Sequence, residues 1–315
     1  MNIRKWIVAA RLRTLPLSLS AVLAGCFLGF GAIKDHQSIA GSLPLFLLIV
    51  ITAILLQILS NFANDYGDAK SGVDAENRVG PKRGILRGEM TMTEMKKGII
   101  AVTCLCLFFG SLSLIMAFGL DYLKILSFTI LGALSIVAAI TYTVGLVYGY
   151  KGLGDISVFI FFGLVSVMGS CFMISGDIST ESIILGCAAG FMATLVLNVN
   201  NLRDYESDRV NGKKSLVVMM GLTGGKIYHG ILLLGAICSM AAVLMYHFNQ
   251  GWWTMLMLSM LPISVFSVFC INPVNTGAVL DPLLKKTLPP FLRHNPLPSN
   301  ILRYFFPPYV LCHFH

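Results

Sequence analysis

Charge is what this 315-residue chain has least of: only 12% of its residues are Asp, Glu, Lys or Arg, against about 25% in a soluble domain. With 56% hydrophobic residues and a mean hydropathy of +0.78, that scarcity excludes a soluble fold. No CxxC pair occurs among the eight cysteines, Cys26, Cys104, Cys106, Cys171, Cys187, Cys238, Cys270 and Cys312. Seven of them lie in apolar stretches, so they read as small packing residues and not as a redox or zinc centre. No HExxH occurs either, and His36, His229 and His247 stand alone, which removes the common histidine metal sites. The basic N-terminus lacks an obvious small-residue cleavage site, and the apolar run behind it is long and contains Pro16. It reads as a retained first span rather than a signal peptide.

What the chain does have is long stretches without charge. They run over Thr14–Ile33, His36–Asn64, Gly98–Leu120, Ile125–Tyr150, Ile156–Gly176, Ser182–Leu202 and Ile227–Leu280. A spanning helix needs roughly 20 apolar residues, so the first six hold one span each. The last holds two, broken near His247-Phe248-Asn249-Gln250-Gly251. The expectation is an all-α polytopic membrane protein with eight spans in one membrane domain, residues 1–282.

Lys and Arg orient the bundle. With the N-terminus inside and alternation across eight spans, the inside collects Arg4, Lys5, Arg11, Arg13, the seven basic residues from Lys70 to Lys97, Lys151, the five from Arg203 to Lys226, Lys285 and Lys286. Only Lys34 and Lys124 fall outside. This asymmetry, together with an anionic ligand, accounts for the net charge of +8, so nucleic acid is not expected as a partner.

Two polar segments stand where apolar runs end: Asn64-Asp65-Tyr66-Gly67-Asp68 and Asn200-Asn201-Leu202-Arg203-Asp204. In each, Asn and Asp are four apart and so share a helix face, and a further carboxylate follows, Asp74 or Asp208. Acids at the end of a membrane helix are costly and usually mark a site. Positive-inside topology explains the basic residues nearby, but nothing in topology requires this Asn/Asp spacing twice. Four spans separate the segments, so both face the cytoplasm, as in a parallel internal repeat with a site between its halves. The stretches Asp65–Lys97 and Asp204–Lys226 are expected as polar loops, the first holding the cationic run Arg78-Val79-Gly80-Pro81-Lys82-Arg83-Gly84 and a Thr91/Glu94 capping box for the third span.

Clustered carboxylate and amide oxygens suit Mg²⁺, which takes a few carboxylates and completes its shell with phosphate oxygens and water. Carboxylates and cations at the rim of an apolar bundle suit a ligand with a diphosphate head and a hydrocarbon tail. Neutralising the diphosphate makes it a leaving group, and an allylic tail then leaves a carbocation that water must not reach. Tyr142, Tyr148 and Tyr150, at the cytoplasmic end of the fourth span, can offer π-faces to such a cation or simply form an interfacial aromatic belt.

These residues give the chain its resemblance to the UbiA superfamily of intramembrane prenyltransferases, whose two Asp-rich motifs follow the second and sixth helices. Asn64 through Asp74 resembles the first motif, and Asn201 through Asp208 the second. Ser71-Gly72-Val73-Asp74, Gly80-Pro81-Lys82-Arg83, Tyr150-Lys151-Gly152-Leu153-Gly154-Asp155 and Asp208-Arg209-Val210-Asn211-Gly212-Lys213 are similar to strings of its menaquinone branch, the 1,4-dihydroxy-2-naphthoate polyprenyltransferases. The resemblance covers about residues 1–285. It implies a catalytic set of Asn64, Asp68, Asp204 and Asp208, with Asp65 and Asp74 added as Mg²⁺ ligands. It implies Lys82, Arg83, Lys151 and Arg203 as diphosphate holders. The implied partners are polyprenyl diphosphate, 1,4-dihydroxy-2-naphthoate and the lipid bilayer, and the implied products are demethylmenaquinone, diphosphate and CO₂. The implied location is the bacterial cytoplasmic (inner) membrane, with the site facing the cytoplasm.

The family usually has nine helices, and here a tail over residues 283–315 takes the ninth one's place. Seven of the twelve prolines fall within the last 34 residues, at 282, 289, 290, 296, 298, 307 and 308. Such a segment is expected to be irregular and non-spanning, contributing no metal ligand. Two other readings compete. A 4-hydroxybenzoate polyprenyltransferase of the same superfamily is disfavoured by Gly80-Pro81-Lys82-Arg83. A cation-coupled transporter would place acids near mid-bilayer, whereas these cluster at one face.

Overall fold

The structure, a computed structural model, describes residues 3–33, 41–71, 84–85 and 88–246. Helix α1 spans Ile3–Ala10, α2 Leu15–Ala32, α3 Leu43–Ser71, α4 Met92–Phe118 and α5 Tyr122–Thr141. Helix α6 covers Gly154–Ser175 and includes a π-helical stretch at Phe159–Val165. Helices α7, Thr180–Arg203, α8, Tyr205–Val210, and α9, Leu216–Tyr246, complete the set, with no strand among the described residues. Seven of these helices, α2 to α7 and α9, are long and apolar enough to cross a membrane. In hydrocarbon the backbone must satisfy its own hydrogen bonds, so apolar runs of this length become helices. The first seven predicted spans are found; the eighth, and the tail 283–315, lie outside the described residues.

The helix ends follow local chemistry. Pro16 sits in the first turn of α2, where its missing N–H costs nothing. The predicted capping box opens α4: Thr91 Oγ1 accepts from the Glu94 N–H at 3.1 Å, and Glu94 accepts from the Thr91 N–H at 2.9 Å. Asp121 and Ser179 cap α5 and α7 more simply, each accepting one backbone N–H, from Lys124 and Ser182. Gly221 breaks the start of α9 with φ 73° and ψ 170°, a conformation open only to glycine.

Side chains pack in four clusters. Ala21, Leu28, Val167, Cys171, Leu185 and Val243 join α2, α6, α7 and α9. Val22, Cys26, Leu45, Ile49 and Ile174 join α2, α3 and α6. Met192, Leu195, Leu232, Leu233 and Ala236 seal α7 against α9. Ala9, Ala10, Phe62, Met90 and Met95 dock α1 on α3 and α4. Glycine lets α6 and α7 touch: a Cβ on Gly163 would stand 2.4 Å from the Gly190 Cα. Small residues at such crossings are how membrane helices gain packing energy when lipid offers no hydrophobic drive. Helix α7 is the most enclosed of the spans, whereas α5 buries no residue at all and faces outward along its length.

The structure corrects both loop expectations. Residues Asp65–Ser71 continue α3, and Asp204–Lys226 holds α8 and the start of α9. Carrying the acids on a helix keeps backbone groups paired while one face turns the polar side chains inward.

Candidate active site

The last turns of α3 form the first half of the site. Asp65 and Asp68 are 2% and 6% exposed, which is costly for carboxylates unless each is paired. Arg11, from the turn between α1 and α2, forms an ion pair with Asp65. The Tyr150 hydroxyl donates to Asp68 Oδ1. One turn earlier, Asn61 donates to the Ala10 carbonyl at 2.9 Å and to Thr14 Oγ1 at 3.0 Å, tying the start of α2 to α3. Thr143 Oγ1 donates to the Ala63 carbonyl at 2.9 Å and to Asn64 Oδ1 at 3.3 Å. Gly67 allows this approach, since a Cβ there would stand 2.4 Å from the Thr143 carbonyl oxygen.

The second half is built differently. Helix α7 stops at Asp204, whose N–H still bonds the Asn200 carbonyl at 3.0 Å, and α8 restarts at Tyr205. Arg203 folds back on its neighbour Asp204 through two hydrogen bonds, Nε to Oδ1 at 2.8 Å and Nη2 to Oδ2 at 2.7 Å, with both residues buried. Asp208 lies one turn on, 4% exposed, with Lys213 Nζ 2.8 Å from its Oδ2.

Tyr150 joins the halves. While its hydroxyl holds Asp68, its carbonyl accepts from the Lys214 N–H at 2.9 Å, and Lys213 Nζ lies 5.6 Å from its ring centroid. A cation over an aromatic face at that range is attracted to it. The Asp68–Tyr150–Lys213–Asp208 chain thus runs from one Asn/Asp segment to the other. Tyr142 packs edge-on to Tyr148 at 5.3 Å and presses on the backbone of Gly149 and Gly154. Burial pushes the Tyr142 hydroxyl up from its ordinary pKa, and the charges of Asp155, Tyr148 and Asp208 add to the shift. Burial also raises Tyr148, against a 2.7 Å hydrogen bond with Ser157.

The structure therefore brings Asn64, Asp65, Asp68, Arg203, Asp204 and Asp208 to one end of the bundle. Lys151, itself exposed, ends the turn Tyr148–Lys151 whose Tyr150 holds Asp68. Asp74, Lys82 and Arg83 lie outside the described residues. The sequence reading missed Arg11, Thr143, Tyr150 as a ligand of Asp68, and Lys213 as the partner of Asp208. Arg11 is 54 positions from its acid and Tyr150 is 82, so no local spacing could have revealed them. Among the described residues no three His, Cys, Asp or Glu side chains converge as a metal cage. Mg²⁺ does not need one, because it binds through one or two carboxylates and fills its shell with phosphate oxygens and water. Asn64 with Asp68, and Asp204 with Asp208, are hard-oxygen donors of that kind.

A helical membrane bundle with a two-part acidic site at one end is the class of protein these observations define. Residues 16–275 match the UbiA prenyltransferase family, and the chain belongs to that family. It is 41% identical over 285 residues to the 1,4-dihydroxy-2-naphthoate octaprenyltransferase of Escherichia coli, covering 90% of each chain. It is 43% identical over 242 residues to the enzyme of that name from Haemophilus influenzae, covering 76% of this chain and 77% of the other. Its fold matches that of a UbiA homolog from Archaeoglobus fulgidus bound to GPP and Mg²⁺ with a TM-score of 0.60 at 16% identity, over 90% of this chain and 94% of that one. The chain is an integral membrane protein.

Proposed function

We propose that this chain transfers a polyprenyl group from polyprenyl diphosphate to 1,4-dihydroxy-2-naphthoate in a Mg²⁺-dependent reaction. The bond from the prenyl C1 to the diphosphate oxygen breaks, and its electrons leave with diphosphate. The ring carbon bearing the carboxylate attacks C1, then loses that carboxylate as CO₂. The product is the prenylated naphthalene diol, the reduced form of demethylmenaquinone. The observation that carries this reading is the junction of the two Asn/Asp segments through Tyr150 and Lys213, which builds one polar site for a diphosphate head. The relatives named for naphthoate transfer support the choice of acceptor.

In this reading Asn64, Asp68, Asp204 and Asp208 are the catalytic set, with Asp65 and Asp74 supporting the metal and Lys82, Arg83, Lys151 and Arg203 near the phosphates. When bound, Mg²⁺ supplies Lewis-acid neutralisation of the departing diphosphate. Tyr150 fixes the rotamer of Asp68, Arg203 fixes that of Asp204, and Lys213 fixes that of Asp208, so donors are oriented before substrate arrives. Asp65 is held by Arg11, which keeps the start of α2 against the site. The apolar helices take the prenyl tail and keep water from the cation. The Lys/Arg distribution supports a cytoplasmic position for this end, with the inner membrane as the location in this reading. Residues 1–282 carry the activity, and 283–315 add no catalytic group.

Membranes containing the chain, given radiolabelled polyprenyl diphosphate and Mg²⁺, should label 1,4-dihydroxy-2-naphthoate in preference to 4-hydroxybenzoate. Labelling of the benzoate alone would reassign the acceptor, and labelling of neither would overturn the reading.

A further inference from the structure

One buried acid beside the site has no place in the mechanism above. Asp155 opens α6 and is 3% exposed. Its carboxyl meets its own backbone N–H and lies within hydrogen-bonding reach of the Tyr228 side chain on α9. Its Oδ1 has no hydrogen-bond partner among the described residues. Buried polar atoms are paired in the great majority of cases, so an acid oxygen left over beside an active site points to a ligand that donates to it. These contacts of the carboxyl leave Oδ1 unaccounted for.

The surroundings fix where that ligand would sit. A Cβ on the adjacent Gly154 would stand 2.6 Å from the Tyr142 hydroxyl, so Tyr142 lies against the same turn. Tyr142 feels the charges of both Asp155 and Asp208, and Asp155 feels that of Lys213, the partner of Asp208. Asp155 thus borders the end of the site where a diphosphate head would lie, between two tyrosines. No cation pairs directly with it, among the described residues, in the way Arg203 and Lys213 pair with the acids of the second segment.

We propose that Asp155 is an acceptor-specificity residue, its Oδ1 accepting a hydrogen bond from the ring hydroxyl remote from the acceptor's carboxylate. This inference rests on the function proposed above. In 1,4-dihydroxy-2-naphthoate that group is the 4-hydroxyl, because the 1-hydroxyl is adjacent to the carboxylate. Tyr228 holds the Asp155 carboxyl, and the Tyr142 ring forms a wall. The negative charge of Asp155 also repels the acceptor carboxylate, so the carboxylate and the reacting carbon lie on the side of the ring remote from Asp155.

The discriminating substrate is 1-hydroxy-2-naphthoate, which lacks only the remote hydroxyl and keeps the adjacent hydroxyl that activates the reacting carbon. A site built to bond a hydroxyl rejects the analogue without it, because its buried acceptor stays unpaired. Transfer to both acceptors should be measured for wild type, Asp155→Ala, Asp155→Asn and Tyr228→Phe, together with the KM for polyprenyl diphosphate. Wild type should favour the diol by at least about tenfold in kcat/KM. Asp155→Ala should bring the two acceptors close to equal, mainly through the KM of the diol, while the polyprenyl diphosphate KM stays nearly constant. Asp155→Asn, which keeps shape and one acceptor oxygen, and Tyr228→Phe, which loosens the carboxyl, should give intermediate preferences. These two variants carry the test if Asp155→Ala does not fold. An unchanged preference across the variants, or equal loss on both acceptors with a raised polyprenyl diphosphate KM, overturns this inference alone. Failure of wild type to prenylate either naphthoate overturns the proposed function itself.

Discussion

The two Asn/Asp segments share a spacing but solve the problem of buried charge in different ways. The first lies on an unbroken helix, and its acids are held from afar: Asp65 by Arg11 and Asp68 by Tyr150. The second sits where a helix breaks, and its acids are held by near neighbours, Asp204 by Arg203 and Asp208 by Lys213. The first half therefore depends on tertiary packing of α1 and of the turn after α5, whereas the second carries its counter-charges in its own sequence. On an unbroken helix adjacent residues point to different faces, so a cation does not fold back on the acid beside it. The break at Asp204 lets Arg203 fold back and present both nitrogens to one carboxylate.

The largest expected effect treats the segments as equal. Asp68→Ala and Asp204→Ala should each lower prenyl transfer by at least about 10³-fold while leaving membrane insertion intact, since each removes a preorganised charge at the leaving group. Chelation with EDTA should silence the wild type, and added Mg²⁺ should restore it. Full turnover in either variant, or in EDTA, would remove the diphosphate site.

The next prediction separates the halves. Arg11→Ala leaves Asp65 buried without its principal counter-charge and should destabilise the protein by up to roughly 3 kcal/mol. Replacing Asp65 by Asn in the same chain should recover most of that loss. Lys213→Ala should cost clearly less stability, because Lys213 and Asp208 belong to one local turn that the Lys213 N–H to Asp208 carbonyl bond at 2.9 Å still closes, whereas Arg11 ties its acid across 54 positions. Thermal unfolding in detergent with matched variants measures both, and equal losses would erase the distinction drawn between distant and local partners.

A smaller effect is expected at the junction. Tyr150→Phe keeps the ring under Lys213 but removes the hydroxyl that holds Asp68. Transfer should fall by about 10–100-fold, the usual cost of losing a group that orients a metal ligand, with little change in thermal midpoint. The smallest effect lies outside both segments. Thr91→Ala removes the cap of α4 and should lower the thermal midpoint slightly without altering transfer.

Much of the fold was legible because hydrocarbon imposes one local rule, and charge-free runs report it. The positions of α2 to α7 follow from those runs, and Pro16 and the Thr91/Glu94 box mark the starts of α2 and α4, whereas α3 continues past its run to Ser71. The acids of both segments were legible too, since Asn and Asp at matched spacing have no topological reason to recur. What sequence could not supply was partnership across space. Arg11 reads in sequence only as one more inside cation, and Tyr150 as a π-face or part of an aromatic belt; the structure sets the turn after α5 against α3. The loops were misjudged for the same reason. Polarity was read as exposure, whereas Asp65, Asp68, Asp204 and Asp208 are buried on helices and paired there.

The central claim is that the two segments make one site. Binding of radiolabelled polyprenyl diphosphate, without acceptor and with saturating Mg²⁺, tests it most directly on purified wild type, Asp68→Asn, Asp204→Asn and the double variant. One shared site predicts a single high-affinity binding event per chain, lost almost as completely in either single variant as in the double. Two binding events in the wild type, each abolished by only one substitution, would contradict it.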